Sequence, residues 1–406
     1  MPEPRIHQAA RFIRSLEDPG TGAFRSVPGG PVTLYGTAYG LLALHYLGID
    51  APPPPATRNF LLDCQDPDSG LFIGPELHEW SPPPGALHDR QHLLLHLTCA
   101  TLPVARQFNL TLRHPLHTAR NFCNLDHLRD WLEARDLRKA WFEGNNLLFV
   151  GQLLVHLRDV ETVPEARIAL DLWFEWLDRH LDPATNLWGT NGLCSPLEGV
   201  YGGYHQLLVY DHENRPLPNP AGLIDTVLDL QHPDGGFHPW GNAGACEDVD
   251  AVDILVRLHP RTRHRHREIR IALRRCLRHI LDQQNPDGGF PYQRDAPQSH
   301  MGIPATRAAP NLSAMFPTWF RIHTLALLAR VLTDEPELQV PFRFSRTLSM
   351  GWHRHANAPR PPVPPLDRAL EAPLAVLLDA RRFLRRIRRG LARRIRQRLS
   401  PHPPNP

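Results

Sequence analysis

The sequence of 406 residues contains almost no lysine: Lys139 stands alone against 44 arginines. There are also 43 prolines and 24 histidines. Such a composition is typical of a GC-rich bacterial genome. A single arginine, proline or histidine in this chain is therefore weak evidence for a site.

Paired cysteines and long apolar runs are also missing. The six cysteines stand far apart and form no C-x-x-C pair, and a chain of this size does not need disulfides for stability. The N-terminal segment 1–20 lacks the apolar core of a secretory signal. No run approaches the roughly 18 uninterrupted apolar residues of a membrane-spanning helix. These absences predict a protein of the reducing cytoplasm.

Acidic residues are absent from the C-terminal segment 381–406, which holds ten of the 45 basic residues. The rest of the chain therefore carries about −7 and this segment +10. Within 381–399 an apolar residue recurs at every fourth position among the arginines, which predicts a basic amphipathic helix. Such a helix binds an anionic membrane surface, so we expect peripheral attachment to the inner membrane. Contact with an acidic protein or with nucleic acid is the alternative, and nucleic acid is not the expected partner.

One turn phrase occurs twice in nearly the same form, at Gln231–Phe237 and Gln284–Phe290, and more loosely at Gln65–Phe72. A phrase that recurs at long intervals indicates one supersecondary unit used repeatedly. Its Pro-Asp-Gly-Gly core favours a tight turn, because proline restricts φ and glycine accepts positive φ.

Each phrase lies between two helical patterns. The helix before it is apolar on one face, as expected for an outer layer, and the helix after it is apolar on nearly all sides, as expected for a buried inner layer. The sequence thus predicts an all-α fold, an (α/α)6 toroid of six helical hairpins, followed by a C-terminal basic amphipathic helix. The predicted outer and inner helices are, in order, 5–16 and 33–47, 56–64 and 87–106, 118–134 and 143–157, 164–180 and 198–210, 221–230 and 246–258, and 267–283 and 311–332.

The phrase Gln-x-Pro-Asp-Gly-Gly-Phe, followed by a polar loop and an inner helix, resembles the repeat of terpenoid cyclases and of protein prenyltransferase β-subunits. Segment 22–44 is similar to the first-repeat form of that phrase. The resemblance covers roughly residues 5–335 and implies the α/α-toroid fold more specifically than any reaction. We divide the chain into the toroid (1–356), a proline-rich linker (357–366) and an arginine-rich amphipathic tail (367–406).

Four acidic residues crowd the predicted start of the fifth inner helix: Glu247, Asp248, Asp250 and Asp253. Crowded carboxylates raise one another's pKa, and a buried protonated carboxyl can act as a general acid. The resemblance implies such a role, because class II terpenoid cyclases protonate a double bond with an Asp-x-Asp-Asp motif. Asp248-Val-Asp250-Ala251 matches that motif in part, with Asp250 as the middle residue. The alternatives are charges that offset the helix dipole and metal ligands.

We predict no metal site. Prenyltransferase β-subunits bind zinc through Asp, Cys and His at the starts of inner helices, but this chain lacks that order around Cys246 and lacks the histidine at 311–316. His88, His92 and His96 have the spacing of metal ligands on a helix. They are interpreted as hydrogen-bonded or solvated histidines, because no carboxylate partner can be identified. No nucleophile elbow, P-loop or G-x-G-x-x-G is present, so no cofactor is assigned.

Other polar and aromatic residues are expected at the mouth of the ring. Aromatic faces stabilise carbocations by roughly 0.5–2 kcal/mol each and also stack on sugar rings, whereas the plainer explanation is core packing. The candidate substrate-binding residues are Tyr39, Asn146, Tyr201, Tyr204, His205, Trp240 and Trp319. Glu143 and Glu198 open two further inner helices and are candidate catalytic carboxylates, because idle carboxylates near a cavity are costly.

Three functions fit this pattern. The first is an enzyme acting on an isoprenoid or lipid-linked substrate in the central cavity, with Asp250 as acid, aided by Asp248 or Asp253. The second is a glycan-active lyase or hydrolase on an (α/α)6 barrel, with Glu143 and Glu198 as its carboxylate pair. The third is a non-catalytic binding or scaffold protein.

Overall fold

The computed structural model describes residues 5–49, 51–78, 80–354 and 368–379. The all-α prediction is confirmed, since the described residues contain a single sheet, of β1 (Leu181–Asp182) and β2 (Leu187–Trp188), paired antiparallel. The α-helices are α1 (Arg5–Ser15), α2 (Leu34–Tyr46), α3 (Pro55–Asp63), α4 (Arg90–Gln107), α5 (His117–Arg120), α6 (Leu125–Glu133), α7 (Ala140–Asp159), α8 (Glu165–His180), α9 (Pro196–His212), α10 (Pro220–Asp229), α11 (Ala245–Leu258), α12 (His266–Gln283), α13 (Met315–Leu328) and α14 (368–379). Short 3-10 turns cover Pro75–Leu77, Asn121–Cys123, Leu137–Lys139, His259–Arg261, His300–Gly302, Pro304–Thr306 and Pro336–Leu338.

Six helices, α2, α4, α7, α9, α11 and α13, form the inner layer. Each packs against the next, and α13 packs against α2. Their residues are almost entirely buried, which agrees with sequences that are apolar on nearly all sides. The contacts therefore run in the cyclic order that six radial hairpins require.

The outer helices bury one face each. Helices α1, α10 and α12 each contact two neighbouring inner helices. The prediction of one continuous outer helix over 118–134 is wrong, because α5 ends at Arg120 and α6 starts at Leu125. The side chain of Asn124 accepts hydrogen bonds from the backbone N–H of Asp126 and His127. This capping starts a new helix and separates α6 from α5.

The glutamine of each turn phrase joins neighbouring repeats. Gln231 Nε2 donates to the backbone oxygen of Ala272 in α12 at 2.7 Å. Gln284 Nε2 donates to the backbone oxygen of Arg5 in α1 at 2.9 Å. The second of these bonds ties the last repeat to the first.

The aromatic residue that ends each turn is held by the following inner helix. In three repeats its backbone N–H donates to a threonine hydroxyl, in the pairs Phe24–Thr37, Phe72–Thr98 and Phe290–Thr318, at 2.9–3.0 Å. In the fifth repeat Phe237 N–H donates instead to Asp248 Oδ1, at 2.8 Å. Asp248 thus takes the position that a threonine holds in the other three repeats.

A segment after the last repeat crosses the end of the ring where the inner helices have their C-termini. Arg343 N–H donates to the Tyr46 oxygen at 3.0 Å, and Tyr204 Oη donates to the Met350 oxygen at 3.2 Å. Arg354 binds Asp211 at the end of α9. We call residues 341–354 the strap, and it covers this end of the inner layer.

Helix α14 lies against the outer surface of α12 through ion pairs. Glu371 binds Arg270, and Asp379 Oδ1 lies 2.8 Å from Arg275 Nη2. Residues 368–379, which belong to the predicted tail 367–406, are thus helical. The predicted linker 357–366 and the arginine-rich segment 381–399 lie outside the described residues.

Candidate active site

A cavity of about 720 Å³ opens at the N-terminal ends of the inner helices, opposite the end that the strap covers. Its wall is formed by the N-terminal halves of α4, α7, α9, α11 and α13, by the loop between Tyr292 and Met301, and by Met350 of the strap. The lining side chains are Leu87, His88, His96, Arg138, Lys139, Trp141, Phe142, Asn145, Glu198, His205, Cys246, Asp250, Tyr292, Gln293, Pro297, Gln298, Ser299, His300, Met301, Phe316, Phe320 and Met350.

Asp250 is the acidic residue of α11 that lies on this wall. Its side chain is only 2% exposed, and Oδ2 has no hydrogen-bond partner among the described residues. Burial, and then the charges of Glu247 and Asp253, raise its pKa well above the usual range of an aspartate. Burial thus favours the protonated form of this carboxyl, which can deliver its proton to a bound molecule.

Asp248, the first acid of the motif, serves the fold. Besides accepting from Phe237 N–H, it forms a fully buried ion pair with Arg321 of α13. Arg321 also donates to the Ala243 backbone oxygen at 3.0 Å. Both oxygens of Asp248 are therefore engaged in holding the turn and the neighbouring inner helix.

The two other acids of the cluster also have structural partners. Glu247 accepts from the backbone N–H of Gly244, the residue that caps the start of α11. Asp253 Oδ1 lies 2.9 Å from Arg257 Nε, one helical turn further on. Burial raises the pKa of Asp253 to about 6. Neither residue lines the cavity.

The repeat register explains why Asp250 reaches the cavity. If Asp248 and Thr318 are equivalent, the residues two positions before them are Cys246 and Phe316. The residues two positions after them are Asp250 and Phe320. All four of these flanking residues line the cavity. Asp250 therefore occupies a wall position of the repeat, whereas Asp248 occupies a turn-holding position.

Aromatic side chains make up much of the wall around Asp250. Tyr292 and Phe316 stack with ring centroids 6.2 Å apart, and Phe316 and Phe320 meet edge to face at 4.9 Å. Trp141 and Phe142 contribute from α7. Such faces attract a cation and repel water, so the wall suits an apolar substrate that becomes positively charged.

Histidines on the wall are uncharged. His96 Nδ1 lies 2.7 Å from Tyr35 Oη, and His300 Nε2 lies 3.1 Å from Tyr39 Oη. Burial lowers the pKa of both, that of His300 to about 3. The described residues contain no group of three or more His, Cys, Asp or Glu side chains arranged to hold a metal ion.

The prediction that 88, 92 and 96 are hydrogen-bonded or solvated histidines agrees with their placement. His92 Nδ1 lies 2.8 Å from Asn146 Oδ1, behind the wall, while His88 is half-exposed at the mouth. Asn146 also donates to Glu143. Asn146 is therefore part of a buried polar network and does not line the cavity.

The two glutamates proposed as a pair occupy different environments. Glu198 lines the cavity and accepts from the Trp141 backbone N–H at 3.2 Å. Glu143 instead binds Arg135 at 3.0 Å and is absent from the cavity wall. The structure thus brings one carboxylate of the pair, and not the other, to the cavity.

Most of the aromatic candidates lie elsewhere. Trp240 is 77% exposed on the surface. Tyr39 and Trp319 stack at 4.2 Å in the buried core, and Tyr201 donates to the Phe237 oxygen at 2.7 Å. Tyr204 is held by the strap, as described above. Of the seven predicted substrate-binding residues, His205 is the one on the wall.

Several wall residues were not singled out from the sequence. Phe320 follows Phe316 by one helical turn, and alignment of Thr318 with Asp248 would have identified it. Phe142 ends the degenerate third turn and carried no other signal. His300 and Met301 come from the long loop before α13, whose path no local pattern specifies.

No protein-family model matches the chain. Over 117 residues it is 35% identical to drimenyl diphosphate synthase of Streptantibioticus cattleyicolor. The match covers 28% of this chain and spans only 21% of that protein. This distant similarity and the all-helical structure are compatible with a terpenoid cyclase-like fold.

Proposed function

We propose that the protein is a terpenoid cyclase-like enzyme in which Asp250 protonates a carbon–carbon double bond of an isoprenoid substrate. The observation that carries the proposal is a buried carboxyl with an unpartnered oxygen on the wall of a cavity rich in aromatic side chains. The similarity to drimenyl diphosphate synthase supports an isoprenoid substrate. Asp250 also occupies the middle position of the partial Asp-x-Asp-Asp motif.

The first step would transfer the Asp250 proton to one carbon of the double bond. The π electrons form the new C–H bond, and the other carbon becomes a tertiary carbocation. A second double bond of the same chain then attacks this carbon and closes a ring. The faces of Tyr292, Phe316 and Phe320 would stabilise the cation, at about 0.5–2 kcal/mol each.

The polar end of the substrate would lie at the mouth of the cavity. Arg138 and Lys139 line this mouth and are exposed to solvent. Two adjacent cations suit a diphosphate group that is retained through the reaction, as the name of the related synthase suggests. A polyprenyl diphosphate should therefore be converted in preference to the corresponding alcohol.

Product analysis of the purified protein with short-chain polyprenyl diphosphates tests the assignment. We expect cyclic products from the wild type and a loss of about 10²–10⁴-fold in Asp250→Asn, the usual contribution of a general acid. Asp126→Asn is the control, since it makes the same change at an exposed position of α6 away from the cavity. Equal product profiles for wild type and Asp250→Asn would remove the assignment.

The residues of the cavity wall support the glycan-active alternative less well than the cyclase-like function. A pair of catalytic carboxylates must flank the scissile bond at about 5–10 Å from one another. Glu143 is engaged with Arg135 and Asn146 and is not on the wall. Glu198 therefore has no partner carboxylate from the predicted pair in the cavity.

We also propose that segment 381–399 binds an anionic membrane surface. No helix in the described ranges is long and apolar enough to span a bilayer. Helix α14, which precedes the segment, exposes Val376 (69%) and Leu377 (61%) while its acids bind α12. Sedimentation with vesicles tests this: the full chain should bind phosphatidylserine vesicles, and a chain ending at 379 should not. Equal binding of both chains would contradict the proposal.

A further inference from the structure

We infer that His205 is the base that ends the reaction, accepting through Nε2 a proton from the final carbocation so that the product is a cyclic alkene. This inference rests on the proposed function and deepens it. It assigns a role to a buried histidine that faces the same cavity as Asp250.

Hydrogen bonds determine which nitrogen of His205 carries the proton. Nδ1 lies 2.8 Å from the Tyr201 backbone oxygen and 3.2 Å from the Gly202 backbone oxygen. Carbonyl oxygens can only accept, so Nδ1 must be the donor. In the neutral ring the lone pair is then on Nε2. Because Nδ1 is held by its own helix and the side chain lines the cavity, Nε2 is the ring nitrogen available to a bound substrate.

The acid and the base lie on neighbouring inner helices, since α9 packs against α11. Burial lowers the pKa of His205 to about 4 and raises that of Asp250. At neutral pH the histidine is therefore unprotonated, and burial favours the protonated form of the carboxyl, which are the states that each role requires. Opposite shifts of this kind in one cavity are a recurring sign of separate acid and base roles.

A base of low proton affinity is sufficient here. The C–H bonds next to a carbocation are far more acidic than an imidazolium ion, so a weak base removes such a proton readily. A strongly basic histidine would instead take the proton of Asp250 before the substrate did. The low pKa of His205 thus keeps the acid available for initiation.

The other histidines on the wall are less suited to this role. His96 and His300 are hydrogen-bonded to tyrosine hydroxyls, which both donate and accept, so neither is restricted to one tautomer by its partner. His88 is half-exposed at the mouth, where water competes for its nitrogens. His205 combines burial with a tautomer that its own helix determines.

The step balances without a further reactant. The C–H bond adjacent to the cationic carbon breaks, its electron pair forms the new C=C bond, and the proton binds Nε2. The imidazolium then loses its proton to solvent, and solvent reprotonates the Asp250 carboxylate. The overall reaction is an isomerisation of the substrate.

Product ratios in H₂¹⁸O provide the test, with His205→Gln compared against His156→Gln. His156 is another buried histidine, on α7, also with a pKa lowered to about 4, and it lines a different pocket. We expect the ratio of alkene to ¹⁸O-labelled alcohol to fall at least tenfold in His205→Gln and to be unchanged in His156→Gln. An unchanged ratio in His205→Gln would overturn the role of the base while leaving Asp250 as the acid. Absence of product from the wild type would overturn the proposed function and the base together.

A second measurement does not depend on turnover or on the folding of a variant. Nitrogen-15 NMR of the wild-type protein distinguishes the two ring nitrogens of His205. We expect a proton on Nδ1 and a bare Nε2 throughout pH 5.5–8, as a pKa of about 4 requires. A proton on Nε2, or a charged ring at pH 6, would overturn the inference.

Discussion

The turns at 231–237 and 284–290 have nearly the same sequence, yet the inner helices after them use equivalent positions differently. In the sixth repeat Phe290 N–H is held by the neutral hydroxyl of Thr318. In the fifth repeat Phe237 N–H is held instead by the charged Asp248, which needs Arg321 of the neighbouring helix as a partner. A charge replaces a hydroxyl, and the fold supplies a buried counter-charge.

The same comparison separates the acids of the partial motif. Two positions after Asp248 and Thr318, the wall residues are Asp250 and Phe320. The position of an acid within the repeat, rather than the number of acids beside it, thus decides which carboxylate faces the cavity. One acid of the pair 248 and 250 holds a turn, and the other faces the cavity.

Removing the counter-charge should have the largest effect on stability. Arg321→Met leaves Asp248 buried and unpaired and should lower the free energy of unfolding by about 3–5 kcal/mol. The double variant Asp248→Thr/Arg321→Met restores the threonine of the other repeats and should recover most of this loss. Urea denaturation of the single and double variants measures the difference. A single variant within 1 kcal/mol of the wild type would show that the pair is not needed.

The second largest expected effect is the change of the free energy of unfolding with pH. Burial raises the pKa of Asp253 to about 6, against an ordinary value of 3.8. Between pH 3.8 and pH 6, Asp253 is therefore protonated in the folded chain and ionised in the unfolded chain. The free energy of unfolding should therefore fall by about 1–3 kcal/mol as the pH rises from about 4 to about 6. In Asp253→Asn this fall should become smaller by that amount, while the contribution of Asp250, whose pKa is also raised, remains. An unchanged slope would assign the effect to another group.

Replacing the glutamine of a turn by alanine should cost more stability where that glutamine is more deeply buried. Gln231 is buried and Gln284 is half-exposed, so the backbone groups that they bind are desolvated to different extents. Gln231→Ala should cost about 2 kcal/mol and Gln284→Ala about 1 kcal/mol. Thermal unfolding of both variants provides the comparison, and equal losses would contradict the role of burial.

Replacing Thr318 in the sixth repeat should have an effect as small as that of Gln284→Ala. Thr318→Val keeps the shape of the side chain but removes the acceptor of Phe290 N–H, at a cost of about 1 kcal/mol. Hydrogen exchange of that N–H should also become faster. If its exchange is unchanged, the hydroxyl is not what protects it.

Much of the fold could be predicted from the sequence, because its signals are local. The turn phrase spans seven residues, and the switch from one-sided to all-round apolar character spans two consecutive helices. These local patterns predicted eleven of the twelve helices to within about four residues at each end. The third outer helix was mistaken, since the cap at Asn124 interrupts an apolar pattern that continues across it.

The sequence by itself determined the helical class, the repeat and the acidic cluster that contains Asp250. Only the tertiary structure decided which candidates share a cavity: it placed Trp240 in solvent, tied Glu143 to Arg135, and brought His300 from a distant loop. The physical reason is that helix periodicity specifies which residues share a face. Which face meets the cavity depends on how each helix is rotated against its neighbours, and contacts such as Asp248–Arg321 set that rotation across 73 residues of sequence.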